Sequence, residues 1–498
     1  MKLLSKTSDE RSHYLILAFL LLSAFALRLT AIVFTLGVPG DGTARATRAY
    51  VWSQAPFFRT YGHWLRGYEY LAGTFGFLST DPIHSSRLLN LMLGTLTILV
   101  FYILIRKIYD SATALISTSI LAFFPLHIGL SASSLTEVAF AFEIISGTLF
   151  LLTAAEAESA KNRALYLVLS LFFLCLAEMT RYEAWVLMPA LLLYYFWKRR
   201  KIFESLLLMT ILLAFPFMWT LNNYLYMGDP FKGFTSATLS DRGVQPVNSL
   251  YAIRLIYGKS VHQLGWIIPL LAVAGVALQF FQAVKRKIEA RKMLYILITG
   301  ILWAGVFAYA VARGTKLWDR FLLLGFIMAL PFSALPLTYY HRRYKERSLV
   351  VIFMALTVVV SVLYQPQAYH SLNDPHNKHL YVTLRSATEM KHTADWLKSS
   401  PFRESSVLLT YIEGQSAYLS GYFPEVGSRR FIIKFACAED NTIQRFLKSQ
   451  KPSLLITYDG DSECQSRIGN LLGTEIGADK LIHTEGYIKV YDIGSAVN

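Results

Sequence analysis

Long apolar stretches recur at short intervals from residue 14 to about residue 364, and they constrain this chain more than any other feature. A helix needs about 20 apolar residues to cross the hydrocarbon core of a bilayer. In that core every backbone N–H and C=O must find a partner within the protein, so repeated stretches of this length imply a bundle of spanning helices. They fall at 14–36, 87–105, 112–130, 137–155, 164–180, 184–197, 203–224, 264–284, 293–311, 320–338 and 349–364, about eleven in all. Composition agrees. Of 498 residues, 54% are hydrophobic and 16% charged, where soluble proteins carry about 25% charged residues. Mean hydropathy is +0.40. The first stretch is too long for a signal peptide, and Gly37-Val38-Pro39-Gly40 lacks a small-x-small cleavage pattern.

Lysine and arginine set the orientation of such a bundle. Arg106-Lys107, Lys198-Arg199-Arg200-Lys201, Lys285-Arg286-Lys287 with Arg291-Lys292, and Arg342-Arg343 with Lys345 and Arg347 fall on every second connection. Lys2, Lys6 and Arg11 share their side, so the N-terminus is expected in the cytoplasm and the tail on the outer face of a cell membrane, plasma or inner. The net charge of +15 therefore reads as topology signal and lipid contact, with no nucleic-acid partner. The first outer loop, 37–86, carries Arg45, Arg48, Arg59, Arg66 and Arg87 against this rule; these arginines are expected to be functional or lipid-facing. Its aromatic residues, among them Trp52, Phe57, Phe58, Tyr61 and Trp64, suit helices lying in the interface. A second outer loop, 225–263, turns at Gly228-Asp229-Pro230, and its stretch from Asn248 to Tyr257 also reads as an interfacial helix.

After Tyr364 the composition shifts. Pro366, Asn373, Asp374 and Pro375 mark a linker, and then short apolar runs alternate with helical patterns. Residues 406–411, 431–435, 454–458 and 486–493 read as strands, and 442–449 as an amphipathic helix. Two domains are expected: a transmembrane domain over 1–364 and a small soluble α/β domain over 365–498 on the outer face. Of three cysteines, Cys175 lies in an apolar run, whereas Cys437 and Cys464 each follow an expected strand and could pair in an oxidising compartment.

This topology gathers polar residues on one face. Asp41 sits between Gly40 and Gly42 at the mouth of the first span. Ser133-Ser134-Leu135-Thr136-Glu137, Thr180-Arg181-Tyr182-Glu183 and the run from Arg313 through Lys316 to Asp319-Arg320 fall on the same side. Ionisable residues at membrane depth are costly and mark function by default. Each also has a plainer explanation. Asp41 could simply end a turn, Glu137 could sit on the dipole of its helix with help from Thr136, Arg181 and Glu183 could pair with each other, and Arg320 could reach for lipid phosphate.

The order of these motifs carries a resemblance. An N-terminal span, an aspartate in a first outer loop with interfacial helices, Ser85-Ser86-Arg87-Leu88-Leu89-Asn90 opening the second span, Pro125-Leu126-His127-Ile128 with Ser134-Leu135-Thr136-Glu137, and then Thr180-Arg181-Tyr182-Glu183 together resemble the C-type (GT-C) glycosyltransferase superfamily. The chain is most similar to the dolichyl-phosphate-mannose–protein mannosyltransferase-like and aminoarabinose-transferase-like branch, over roughly 14–364.

The resemblance implies a GT-C-like, polytopic α-helical fold and an inverting transferase that takes a sugar from a polyprenyl-phosphate donor to a hydroxyl acceptor on protein, lipid or glycan. It makes Asp41 the general base and Glu137 the candidate second acid, because glycines occupy the places beside Asp41 where the family often has one. Arg320 resembles the residue that holds the donor phosphate, with Lys316 and Arg313 near enough to help, and Arg181, Glu183, Arg87 and His127 stand as supporting residues. A divalent cation would find only oxygen ligands in Asp41 and Glu137, so Mg or Mn suits them better than Zn. A polysaccharide ligase or polymerase is a rival, as is a lipid-linked-sugar flippase, although a flippase would place charges deep in its spans and show internal repeats.

Overall fold

The structure, a computed structural model, describes residues 8–34, 40–62, 64–78, 82–232, 247–285, 289–313, 319–344, 384–402, 407–409, 431–433, 453–458, 470, 480–485 and 488–494. Ten helices cover its first half: α1 Ser8–Phe34, α2 Gly40–Gln54, α3 Gly67–Thr74, α4 Pro82–Ile108, α5 Ser111–Ala122, α6 Pro125–Ser131, α7 Glu137–Glu156, α8 Ala160–Thr180, α9 Glu183–Arg199 and α10 Ile202–Met227. Then follow α11 Ser249–Leu264, α12 Ile267–Lys285, α13 Ala290–Arg313, a 3-10 turn Asp319–Leu322 and α14 Leu323–Tyr344. Seven helices are individually long and apolar enough to cross a membrane, and two bent pairs bring the number to as many as nine among the described residues. The chain is a multi-pass, α-helical membrane protein. The expected stretch 184–197 is α9, a helix of 17 residues; the expected stretch 349–364 lies outside the described residues.

One expected span is not a single helix. The stretch 112–130 breaks into α5 and α6 at a bend of 60°. Pro125 opens α6, and Phe124 before it is extended at φ −68°, ψ 113°. Proline lacks the N–H that would continue α5, and its ring disfavours helical geometry in the preceding residue. The second bent pair joins α11, the expected interfacial helix, to α12 at 115°. Gly265 makes that corner at φ 70°, a conformation few other residues adopt.

The core is built around α7, whose residues are buried on nearly every side. Small residues there let neighbours approach closely. Close approach is equally strict elsewhere. A Cβ on Gly67, at the start of α3, would lie 2.6 Å from the backbone carbon of Met179 in α8, and one on Gly275 in α12 would collide with the carbonyl oxygen of Phe332 in α14. The end of the bundle that carries Asp41 is laced together by side chains bonded to backbone. Arg87 donates from Nε to the Ala132 carbonyl at 2.7 Å and from Nη2 to that of Ile32 at 3.0 Å. Asn90 Nδ2 donates to the carbonyls of Ser133 and Leu135, each at 2.7 Å. Asn223 Oδ1 accepts from Gly62 N at 2.8 Å, which ties the first loop to α10. At the other end Lys107 pairs with Glu156 at 2.6 Å.

In the C-terminal region, β1 Val407–Leu409, β2 Phe431–Ile433, β3 Leu454–Tyr458, β4 Leu481–Glu485 and β5 Ile488–Asp492 form one sheet in the order β2-β1-β3-β5-β4. β1 runs parallel to β2 and β3, while β5 runs antiparallel to β3 and β4. Leu454, Leu455 and Ile456 are all fully buried, as a strand covered on both faces requires. Four of these strands fall where the sequence places them; β4 and the helix α15, Leu384–Ser399, do not. α15 rests on the sheet through Trp396, stacked on His483 at 4.2 Å. The expected helix at 442–449 and both tail cysteines lie outside the described residues.

Candidate active site

Four elements bring ionisable side chains to one point. Asp41 is the second residue of α2, Glu137 the first of α7, Arg181 and Glu183 flank the α8–α9 junction, and Arg320 lies in the 3-10 turn before α14. Each occupies a helix end because a span must stop where water begins, and polar residues belong there. Asp41 and Arg320, 279 residues apart in sequence, meet with Nη2 at 2.5 Å from Oδ2. Arg320 Nε is 3.7 Å from Glu137 Oε1. That same oxygen accepts from Arg181 Nη1 at 2.9 Å, and Arg181 Nη2 donates to Glu183 Oε1 at 2.6 Å. The result is a continuous chain of contacts, Asp41–Arg320–Glu137–Arg181–Glu183. The Phe321 ring lies beneath both guanidinium groups, 5.0 Å from that of Arg320 and 5.2 Å from that of Arg181, and stacks against them.

The expected part for Thr136 is not the one it plays. It makes no capping bond at the start of α7; its hydroxyl accepts from Arg181 Nη1 at 3.2 Å. Burial pushes the Asp41 carboxyl up, but Arg320, followed by Arg45 and Arg48, outweighs burial and holds it below its ordinary value. Its side chain remains 44% accessible, although it stands deep among protein atoms. Burial lowers the Arg181 guanidinium, and Glu183 and Glu137 more than compensate, so its charge is secure.

Two expected supporting residues stand apart from this network. Arg87 is buried and donates to two backbone carbonyls, which holds α4 against the ends of α1 and α6. His127 is fully buried, and its Nδ1 accepts a hydrogen bond from Arg28 Nη2 at 2.5 Å inside the bundle. Arg313 closes α13, and Lys316 lies outside the described residues. Asp319, beside Arg320, pairs with Lys259 of α11 and accepts from Gln263 Nε2 at 2.6 Å. Nothing in sequence marks Lys259 or Gln263, since neither lies near the motif it joins. Glu69 was missed as well: it is buried among Arg45, Arg48 and Arg66, and a lone glutamate in an aromatic loop gives no periodic signal.

The two carboxylates proposed for a cation are bridged by Arg320, whose guanidinium fills the place a cation between them would take. Among the described residues no group of three or more His, Cys, Asp or Glu could hold a metal. As built, the site is a carboxylate pair joined by a guanidinium.

The fold is shared with two solved membrane proteins, and part of the chain matches a family model. Residues 67–221 match the model of the dolichyl-phosphate-mannose-protein mannosyltransferase family. ArnT from Cupriavidus metallidurans in its apo state superposes with a TM-score of 0.61 at 13% identity, over 99% of this chain and 100% of that one. The same enzyme bound to undecaprenyl phosphate matches with a TM-score of 0.58 at 12% identity, over 97% and 98%. The archaeal oligosaccharyltransferase AglB from Archaeoglobus fulgidus, in complex with an inhibitory peptide and a dolichol-phosphate, matches with a TM-score of 0.56 at 14% identity, over 94% of this chain and 71% of that one. Among curated protein sequences none matches. At such identities the likeness is one of fold.

Proposed function

We propose that this protein is a membrane glycosyltransferase that moves a sugar from a polyprenyl-phosphate donor to a hydroxyl acceptor on the outer face. The observation that carries the reading is the Asp41–Arg320–Glu137 contact chain at one end of the bundle. The GT-C fold supports it, as does the presence of polyprenyl phosphates in the ArnT and AglB complexes. Basic runs on alternate connections support an outer location for the site, a cytoplasmic N-terminus and an outer α/β domain over 365–498.

In the reaction the acceptor O–H gives its proton to the Asp41 carboxylate. The freed oxygen bonds to the anomeric carbon, and the bond from that carbon to the phosphate oxygen breaks. The electron pair leaves with the phosphate, and Arg320 with Arg181 behind it stabilises the growing negative charge. A single displacement of this kind inverts the anomeric centre. Arg320 has two tasks in sequence. In the resting protein it pairs with Asp41 and weakens it as a base; once a donor phosphate takes up Arg320, Asp41 recovers its basicity. Glu137 keeps Arg320 and Arg181 aimed at the site. Lys316 and Arg313 stand by the same turn in sequence and serve the same phosphate.

The test is transfer by the purified full chain from a synthetic polyprenyl-phosphate sugar, with Arg320→Gln beside the wild type. The variant should lose donor affinity by tenfold or more while acceptor dependence stays the same. An unchanged donor dependence would leave Arg320 as a structural partner of Asp41 and remove the phosphate role.

A further inference from the structure

We infer that Lys259 and Gln263 of α11 are positioning residues for Arg320: they hold Asp319, and through it they aim the guanidinium that takes the donor phosphate. The inference rests on the reading of Arg320 as the phosphate-binding residue.

Asp319 and Arg320 open the 3-10 turn Asp319–Leu322. Such a turn has three residues per revolution, so successive side chains point about 120° apart. Here three successive side chains meet three different walls. Asp319 faces α11, where its Oδ1 pairs with Lys259 and its Oδ2 accepts from Gln263 Nε2 at 2.6 Å. Arg320 faces Asp41 and Glu137. Phe321 faces α13, edge-on to Tyr309 with ring centres 5.5 Å apart. Fixing the direction of Asp319 therefore fixes that of its neighbour. The internal hydrogen bonds of a 3-10 turn are poor, so one this short takes its orientation from what it touches.

An anchor must itself be held, and α11 is. Val247 N, just before it, donates to the Val311 carbonyl of α13 at 2.9 Å. Leu255, Ile256 and Leu264 pack against the bundle core. Lys259 and Gln263 stand at i and i+4, on one side of the helix. The opposite side exposes Leu250, Ile253 and Tyr257, as a helix lying against lipid requires. Lys259 and Asp319 are 23% and 20% exposed, and Gln263 is buried. The contact is thus largely out of water, where a charge-assisted bond is stronger than on an open surface.

The place where the contact lands makes it more than a brace for α11. It grips the residue next to Arg320, and the proposed reaction gives that grip a use. Arg320 releases Asp41 when the phosphate arrives, so Asp41 cannot hold its aim through the exchange. The Lys259–Asp319–Gln263 contact includes neither Asp41 nor the phosphate, and it stays while Arg320 changes partner. Recognition of phosphate by a guanidinium fork needs that geometry kept within a narrow range. Pairing also occupies Asp319. Left unpaired, its carboxylate would compete for the adjacent guanidinium and weaken the pull on the phosphate.

The test is calorimetry of undecaprenyl phosphate binding to the full chain in detergent. Lys259→Met should bind this probe about tenfold more weakly, the scale of one lost charge-assisted contact. Lys259→Arg, which can keep the pair, should bind it as the wild type does. Arg320→Gln should also weaken binding by about tenfold or more, and adding Lys259→Met to it should cost nothing further, because the anchor acts only through Arg320. If Lys259→Met does not fold, Gln263→Leu, which keeps the ion pair, should weaken the probe several-fold and likewise add nothing to Arg320→Gln. Wild-type affinity in Lys259→Met, or in Gln263→Leu in its place, beside a weakened Arg320→Gln refutes the positioning role alone. A further loss in the double variant refutes it too, since Lys259 then acts by a route other than Arg320. Wild-type affinity in Arg320→Gln refutes the phosphate reading itself, and the inference with it.

Discussion

Replacing Asp41 with Asn separates chemistry from folding, because the structure makes the two effects very different in size. Asn keeps the volume of Asp, and its carbonyl oxygen can still accept the hydrogen bond from Arg320. The ion pair that disappears is partly exposed, with 44% of Asp41 and 18% of Arg320 accessible, and such pairs contribute about 1 kcal/mol or less. Arg320 also retains Glu137 at 3.7 Å. Melting of the variant in detergent should therefore stay near that of the wild type. Loss of a general base costs about 10²–10⁴-fold in rate, which is about 3–5 kcal/mol in the barrier. Turnover from a polyprenyl-phosphate sugar, measured at saturating donor, should fall by that factor while donor binding survives. Glu137→Gln is the companion variant. Glu137 is 5% exposed and shares Arg181 and Arg320, so this change should disturb stability more and turnover less. Near-normal turnover in Asp41→Asn would reduce Asp41 to a structural partner of Arg320 at the start of α2 and end the mechanism.

Further outcomes rest on particular features of the chain. Because Arg320 holds the Asp41 carboxyl below its ordinary value, the acid limb of kcat/KM should lie below the usual carboxylate range; in Arg320→Gln burial is less opposed and the limb should move up, and an unmoved limb would assign it to another group. By linkage, a carboxyl depressed on folding adds stability above its unfolded value and loses it as pH falls through the folded one, so acid should unfold the wild type at lower pH than the variant. Gly67→Ala should lower stability by about 1–3 kcal/mol, since its Cβ would meet the Met179 backbone at 2.6 Å; an unchanged melting temperature would show that α3 slides freely on α8. Transfer should persist in chelator, because a guanidinium takes the place of a cation between the two carboxylates; a loss restored by Mg or Mn would refute this. A cysteine placed at 199 should resist an impermeant thiol reagent while one at 415 reacts, and the reverse would invert the proposed topology.

The spans were legible because crossing a bilayer is a local requirement. Any run of about 20 apolar residues meets it by its own composition, and Lys or Arg at its ends adds the alternation. Thus α4, α7, α8 and α10 stand where the sequence puts them, and polar residues fall at the same ends. Legibility stopped where neighbours decide. Pro125 marks a break in sequence, yet hydropathy averaged over a window passes across it. Arg87, His127 and Arg320 looked alike as polar residues near span ends. Packing buries the first against backbone carbonyls and the second against Arg28, and it brings only the third to Asp41. Lys259 and Glu69 acquired partners through helices that no local pattern connects. Apolar content adds along the chain, and so the sequence by itself determined a bundle of spanning helices with a polar face. An ion pair depends on distance in space, and so only the tertiary structure decided which carboxylate meets which guanidinium.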